Sequence, residues 1–577
     1  MSTNIQIENL KTDVLILGSG GAGLFGALHA KAANPDLEVT VAVKGLLGKC
    51  GCTRMVQGGY NVAIAPGDST ERHFMDTVEG GKWINRQDLA WTLVEQAQVR
   101  IRELENELGC FFDRNPDGTV HQKAFAGQTF DRTVHKGDLT GIEIISRLME
   151  QVRAQRVQLM EEHRAIALVP SRGGDALAGV LMIDMRSGEF RLVQAKTVLM
   201  ATGGGPTMYR YHTPSGDKSM DGLAMALRLG LGLRDMEMVQ FHPTGLLAGR
   251  DTRMTGTVLE EGLRGAGGFL LDGNGERFMM GYDDDAERAT RDIVSRAIYA
   301  EMRAGRTTPN GGVYIAMSHL GPELVAQKFP GMVKRCADCG FDLAGGRVEV
   351  VPTAHYLMGG VVVTPDTRTS LAGLFVAGED AGGAHGANRL GGNGVANSTV
   401  FGGIAGDEMA AQASSQKFWV EPDTSLIDAA IERTMTPFQQ SAGDINSIRD
   451  RLLDLMWEGV GVLRDANGIQ QAQTELAALK TELLATGLGD DNRVFNLSWH
   501  DWLNLQSLIE VSEVIAAAAL SRENSRGAHY REDYPEAGSL DESYFTIARV
   551  DREALQVERQ SVDFSIVKPG ESLLEND

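Results

Sequence analysis

The segment Gly18-Ser19-Gly20-Gly21-Ala22-Gly23 constrains this chain more than any other. It follows the apolar run Val14-Leu15-Ile16-Leu17 and precedes the small-residue stretch Leu24 to Ala33, an order that reads as strand, tight turn and helix. A dinucleotide pyrophosphate needs that order. Glycines let the backbone approach the phosphates and let the helix pack on the strand, while the first helical amides and the dipole receive negative charge. The turn alone is a weak signal in a chain with 69 glycines, and its strand and helix context is what points to a nucleotide.

An NAD-binding unit carries an acidic residue about 20 positions after the turn, at the end of its second strand. Here the second strand, Leu37 to Val43, ends in Val43-Lys44, which counts against ordinary NAD recognition. Two further Gly-punctuated strands, Thr197 to Gly205 and Gly373 to Asp380, fit a ligand that reaches over several strand ends, as an extended FAD does.

At 577 residues the chain exceeds one ordinary core, so two to four domains are expected. Its 77 acidic against 55 basic side chains give a net charge of −22, which opposes nonspecific binding to nucleic acid or anionic membrane. Met1 to Lys11 has neither a signal-peptide nor a twin-Arg pattern, and no apolar run approaches about 20 residues. The expectation is a cytoplasmic chain without direct membrane insertion, reaching the inner face of a membrane only through partners. Five cysteines make no disulfide framework. Cys336-Ala337-Asp338-Cys339 is a CxxC pair without two further ligands at zinc spacing, so no metal is expected, and structural thiols compete with a redox pair as its explanation.

Texture divides the chain. Residues 12–240 alternate strands with helices and include an expected meander of Ala176 to Met185, Phe190 to Ala195 and Lys196 to Ala201. Residues 241–351 are mixed, with one clear helix near Arg291 to Ala304, and strand signals return from 352. From 424 onward apolar periodicity marks helices at Ile448 to Leu463, Ile469 to Leu484 and Trp502 to Leu520, before a polar, acidic end.

Five ordered motifs then carry a resemblance over nearly the whole chain. They are His73 to Gly81, Gln240-Phe241-His242-Pro243-Thr244-Gly245, Pro352 to Gly360, His385-Gly386-Ala387-Asn388-Arg389-Leu390-Gly391, and Ser525-Arg526-Gly527-Ala528-His529. The chain resembles the flavoprotein subunit of the succinate dehydrogenase and fumarate reductase family, which includes L-aspartate oxidase. The resemblance implies an α/β FAD-binding domain, Rossmann-like and of the glutathione-reductase type, over 1–240 and 352–415. It implies an inserted α+β capping domain over 241–351, a helical domain over 416–545 and a C-terminal tail over 546–577.

The implied chemistry is transfer of two hydrogens across a carbon-carbon bond beside carboxylates, with hydride exchanged at flavin N5. His242, His355 and Arg389 occupy the family's carboxylate-binding positions, and a guanidinium suits that role through its bidentate fork. Arg291 is the implied proton donor or acceptor. Because an arginine pKa exceeds about 12, it needs a relay, which Glu261 and Arg264 would supply. The alternative for Glu261 and Arg264 is an exposed ion pair at helical spacing. By the same resemblance Gly18, Gly20 and Gly23 attend the pyrophosphate and Lys44 the adenosine side. Cys52, Thr53, Gln57, Gly58 and Gly59 lie near the flavin, Asp221 on the far side, Glu379 near the ribityl chain, and Asn393 beside the flavin.

Two departures from the family pattern matter. Glu260 stands where the family has a carboxylate-binding Thr, so an ionised side chain there would repel a dicarboxylate unless it turns away, is protonated, or meets an ammonium or hydroxyl. Cys52 stands where respiratory members carry a histidine bonded covalently to FAD. Non-covalent FAD, which favours reduction, and a cysteinyl thioether are the two readings. No cysteine spacing here suits an iron-sulfur cluster or haem. The C-terminal helices and polar tail resemble those of complex-forming subunits, which implies a separate iron-sulfur or other electron-transfer subunit as partner, with free flavin, NADH through another protein and O2 as the alternatives. Three functions follow: a fumarate- and succinate-type dicarboxylate oxidoreductase, an amino-dicarboxylate oxidase like L-aspartate oxidase, or a flavin-containing sensor subunit without turnover.

Overall fold

The computed structural model describes residues 6–249, 252, 254–552 and 554–574. The first five residues of the Met1 to Lys11 stretch and the last three of the expected tail lie outside them. The strand Ile7–Leu17 is the centre of a seven-stranded sheet, with its apolar end Val14 to Leu17 fully buried. It pairs in parallel with Val39–Val43 on one side and Glu189–Met200 on the other, and Gln158–Glu161 extends the parallel edge. The helix Gly21–Ala33 returns across the sheet and packs closely on the helix Asn393–Ser415. Small residues permit that approach. A Cβ on Gly402 would sit 2.6 Å from Ala22 O, and one on Gly406 2.4 Å from Gly26 O.

The expected meander is real but differently built. Its strands are His163–Pro170, Leu177–Asp184 and Glu189–Met200, and the break expected near Lys196 does not occur. The last strand is continuous because it changes partner midway. Its first half pairs antiparallel with Leu177–Asp184, and Val198 to Met200 pair in parallel with Leu374–Val376.

A second, antiparallel sheet has the order Val239–Leu246, Arg347–Leu357, Val313–Ala316, Phe269–Leu271. It encloses its own apolar cluster, including Leu246, Leu270, Ile298, Ile315 and Val348. The helix expected near Arg291 forms over Arg291–Arg303. Positions 241 and 352, where the texture changes, fall inside two strands that pair with each other, so the chain passes between the two sheets through a ribbon. Cys336 is buried in this cluster with its thiol pushed up to about 12 by burial, which fits a packing role.

The helices Thr424–Met435, Ile445–Gly459, Ala466–Leu484 and Leu497–Ser521 follow. Among the described residues, Leu497–Ser521 is the one helix long and apolar enough to cross a membrane, yet most of its apolar window is buried within the protein, with Trp499 and Trp502 fully so. Part of the polar end, expected as a tail over 546–577, is regular structure. Tyr544–Asp551 and Ala554–Ser561 form an antiparallel hairpin that joins Leu233–Arg234 and Gly360–Val361. Its second strand is exposed at every position except Leu555 and Val557 and is polar throughout Glu558 to Ser561, which shortens the period-two signal. The hairpin and last helix are tied to the body by Arg522. Its Nε donates to Glu237 Oε1 at 2.5 Å, with all of these groups excluded from solvent.

Candidate functional site

One cavity of about 460 Å³ runs from the Gly18–Ala22 turn to the face of the second sheet. One end is formed by the Gly18–Ala22 turn. Gly20 offers no side-chain cap to the helix Gly21–Ala33, and no acidic residue occupies the first turn, so the amide end of the dipole is open to an anion. Thr53 Oγ1 accepts the Gly21 N–H at 3.0 Å. Cβ atoms built on Gly51 and Gly203, both on the cavity wall, meet little or nothing within 4 Å and would project into open space.

Gly18 and Gly23 divide the work of the turn. Gly18 lines the cavity with φ +112°, and a Cβ there would lie 2.2 Å from Ala201 O. Gly23 is not on the wall, contrary to expectation. A Cβ on it would strike Gly18 O at 2.1 Å, so its role is helix-to-strand packing. Asn393 is the second correction. Its Oδ1 accepts from Asn61 Nδ2 at 2.8 Å and faces His73 Nε2 at 3.0 Å. Its Nδ2 donates to Thr77 Oγ1 at 3.1 Å, and its N–H goes to Leu390 O. Fully engaged and turned into the core, its side chain leaves the wall to Gly392, Gly394, Val395 and Ser398.

Lys44 and Asp221 meet at one end of the cavity. Lys44 Nζ donates to Asp221 Oδ2 at 3.0 Å and to Ser219 Oγ at 2.9 Å, while Arg164 Nη2 reaches Asp221 Oδ1 at 2.7 Å. Burial alone would raise the Asp221 carboxyl, but the two cations hold it well below its usual range. Along the middle lie Cys52, Thr53, Gln57, Gly58, Gly59 and Glu379. Glu379 accepts the N–H groups of Leu357 and Gly205 at 3.0 Å each, and burial still raises its carboxyl to about 7. Cys52 precedes the turn Thr53–Met55. Burial, then the nearby Glu379, push its thiol up to about 12. Gln57 turns its amide oxygen toward the Arg335 guanidinium, which reaches the wall from the second sheet's unit. Arg335 and Lys218, both lining residues, carry no motif that sequence reading could have used.

The far end gathers the expected side chains. Arg291 opens the helix Arg291–Arg303, which packs on Val239–Leu246. Its Nε and Nη2 donate to Glu261 Oε2 at 2.8 and 2.7 Å. Arg264 stands behind, its Nη2 3.7 Å from Glu261 Oε1 and its Nη1 donating to Glu287 O at 2.6 Å. Arg264 does not itself reach the wall. Glu261 caps and Arg264 lies within a single helical turn, and both side chains are buried, which excludes an exposed surface pair. Burial raises Glu261, but Arg291 and Arg264 outweigh it and keep the carboxyl low.

His242 sits between two register shifts in its strand, the kind of bulge that re-aims side chains. Its Nδ1 accepts the Thr244 N–H at 3.3 Å, which leaves the ring proton on Nε2. His355 lies across the ribbon, 5.4 Å away between ring centroids, with Nδ1 2.8 Å from Thr213 Oγ1. Burial, then Arg291, hold both histidines neutral. The Arg389 guanidinium stacks over Tyr356 at 4.4 Å, and burial with Arg291 lowers it to about 10. Gln240 stands in its motif with no role that the sequence alone suggests. Its Oε1 accepts from both Arg291 Nη1 and Arg389 Nη2 at 3.2 Å, holding two cations side by side.

Known proteins are built in the same way. The model of the family described as FAD binding domain matches residues 13–395, and that described as fumarate reductase flavoprotein C-term matches 449–573. The chain is 40% identical over 536 residues to one of the subunits of the fumarate reductase (CoM/CoB) of Methanothermobacter marburgensis, covering 92% of this chain and 96% of that one. It is 34% identical to the fumarate reductase flavoprotein subunit of Escherichia coli, over 91% and 89% of the two chains. Among solved structures, a variant of Escherichia coli quinol fumarate reductase superposes with a TM-score of 0.91 at 32% identity, over 98% of each chain. FAD is the cofactor of this cavity, and the open glycine wall and the helix N-terminus with no acidic residue in its first turn fit it.

Proposed function

The chain belongs to the succinate dehydrogenase and fumarate reductase flavoprotein family, and from that premise we propose that it interconverts a fumarate-like and a succinate-like dicarboxylate, with Arg291 moving the proton. The observation that carries this reading is the pairing of Arg291 with the buried Glu261 at the end of a nucleotide cavity also lined by His242, His355 and Arg389. When bound, FAD supplies a two-electron hydride donor or acceptor. Gly18, Gly20 and the amide end of Gly21–Ala33 would hold its pyrophosphate, Lys44 and Asp221 its adenosine side, and Glu379 its ribityl chain.

Each side chain then has a separable task. Arg389, the Nε2–H of neutral His242 and, with the Thr213 hydroxyl donating to Nδ1, the Nε2–H of neutral His355 bind one carboxylate and stabilise charge that develops on it. Neutral rings suit this because they donate without releasing a proton. Arg291 reaches the substrate as a cation and gives a proton to the carbon opposite the hydride. Glu261 takes part in restoring that proton, and Arg264 restores Glu261. Gln240 keeps the two guanidinium groups together against their repulsion. Residues 241–351 act as the capping domain that excludes water. Electrons reach the site from a separate electron-transfer subunit, an iron-sulfur protein being the best match.

Two results are expected. Fumarate added without oxygen to the chemically reduced protein restores the oxidised flavin spectrum, and a flavin that stays reduced overturns the reading. Cys52 holds its proton tightly and does not bond the flavin, so acid precipitation releases the yellow colour to the supernatant. A yellow protein pellet would show a covalent link instead. Non-covalent FAD accords with a protein that works mainly as a reductase.

A further inference from the structure

Glu260 and Glu261 are neighbours in sequence, both buried and both on the cavity wall, yet their surroundings are opposite. Glu261 is held by Arg291. Glu260 is 8% exposed and its Oε2 makes no hydrogen bond; Lys123 Nζ stands 3.7 Å away, beyond hydrogen-bond reach. Among the described residues, no other buried carboxylate oxygen lacks a hydrogen bond. Glu237 receives Arg522 and Thr546, Glu287 receives Arg277 and the Leu270 N–H, and Glu349 receives Asn310. A buried acceptor with an ion-pair partner but no hydrogen-bond donor is costly, and this one lies on the cavity wall, where a bound ligand can supply the donor.

We propose that Glu260, positioned by Lys123, selects the substrate by accepting a hydrogen bond from a hydroxyl or ammonium group that the substrate carries in addition to its carboxylates. The inference rests on the dicarboxylate reading of the cavity and narrows it. Arg389, Arg291 and the two histidines already provide for one carboxylate. At the Glu260 side an unsubstituted second carboxylate meets a like charge, with Asp138 adding to it and Lys123 and Arg335 opposing it. A substrate donor removes the unsatisfied acceptor and lets Lys123 face the carboxylate beside it. Burial raises the Glu260 carboxyl, and a hydroxyl or ammonium donor from the substrate would draw it back toward the ionised, accepting form. A site built around a buried acceptor discriminates strongly against a ligand that lacks the matching donor.

The test titrates the oxidised flavin spectrum of the FAD-loaded protein with succinate, malate and aspartate, a readout of binding without turnover. In the unmodified protein malate or aspartate is expected to bind at least about tenfold more tightly than succinate. Glu260→Thr reverses the order. Glu260→Gln, which keeps shape and an acceptor oxygen but loses charge, retains malate and loses aspartate, and so separates a hydroxyl from an ammonium substrate. Preference for succinate in the unmodified protein, or a ratio unmoved by either substitution at equal flavin content, overturns selection by Glu260 and leaves the dicarboxylate reading standing. No spectral response to any of the three overturns both.

Discussion

Replacing Arg291 by alanine is expected to slow reoxidation of the reduced flavin by fumarate about 10²–10⁴-fold, the range by which a positioned acid accelerates proton transfer. The loss should fall on the maximal rate. Arg389, His242 and His355 remain to bind a carboxylate, so the fumarate concentration for half-saturation should change much less. Arg291→Lys restores a cation but not the fork that gives two bonds to Glu261 Oε2, so it should recover little. The substitution also leaves Glu261 buried beside Arg264 alone, which costs stability, so flavin content and a denaturation midpoint must accompany the rates. Stopped-flow absorbance of the flavin at saturating fumarate decides the matter. A decrease of less than about tenfold with flavin fully bound would remove Arg291 from the proton step.

Gly18→Ala should be severely damaging for a single added methyl. Alanine is strained at φ +112°, and its Cβ would lie 2.2 Å from Ala201 O and 2.8 Å from the carbon behind it. Neither backbone can yield. Gly18 N–H donates to Ala42 O at 2.8 Å and Ala201 N–H to Leu17 O at 2.9 Å, so relief on one side breaks the central sheet on the other. Strain and overpacking together amount to about 3–5 kcal/mol. The expected results are a lower urea midpoint for the flavin-free protein and no flavin retained after desalting. Gly20→Ala is the control. Its Cβ would meet only Thr53 Oγ1, at 3.5 Å, so folding should change by less than about 0.5 kcal/mol while FAD affinity falls. Equal midpoints for Gly18→Ala and the unmodified protein would show that the turn relaxes in a way this geometry forbids.

What the sequence revealed was local or motif-borne. The strand, turn and helix around Gly18 are contiguous, so their periodicity is readable before folding. Glu261, Arg264 and Arg291 are legible through their motifs and do converge. The misses are non-local. Nothing near Lys196 tells that its strand will take a second partner from residues almost 180 positions later, and an apparent break follows. Asn393 lies between cavity-lining neighbours, and its reversal depends on Asn61, His73 and Thr77, all more than 300 residues earlier. Gln240 has the same limit. An amide oxygen shared by two cations is visible only once Arg291 and Arg389 are side by side. The hairpin Tyr544–Ser561 was hidden because an edge strand that faces solvent on most of its length carries charge where buried strands carry valine.

The ribbon formed by Val239–Leu246 and Arg347–Leu357 has a mechanical consequence. Two separate loops would let the bodies they join drift in any direction, whereas two laddered strands resist sliding past one another and bend far more readily across their face. Displacement of the second sheet's unit is therefore funnelled into flexing about one axis. His242 and His355 ride on this ribbon and Arg291 on the helix packed against it. A single flexure would then carry His242, His355 and Arg291 together, so access to the cavity and assembly of the chemistry proposed for these residues are geared to the same movement.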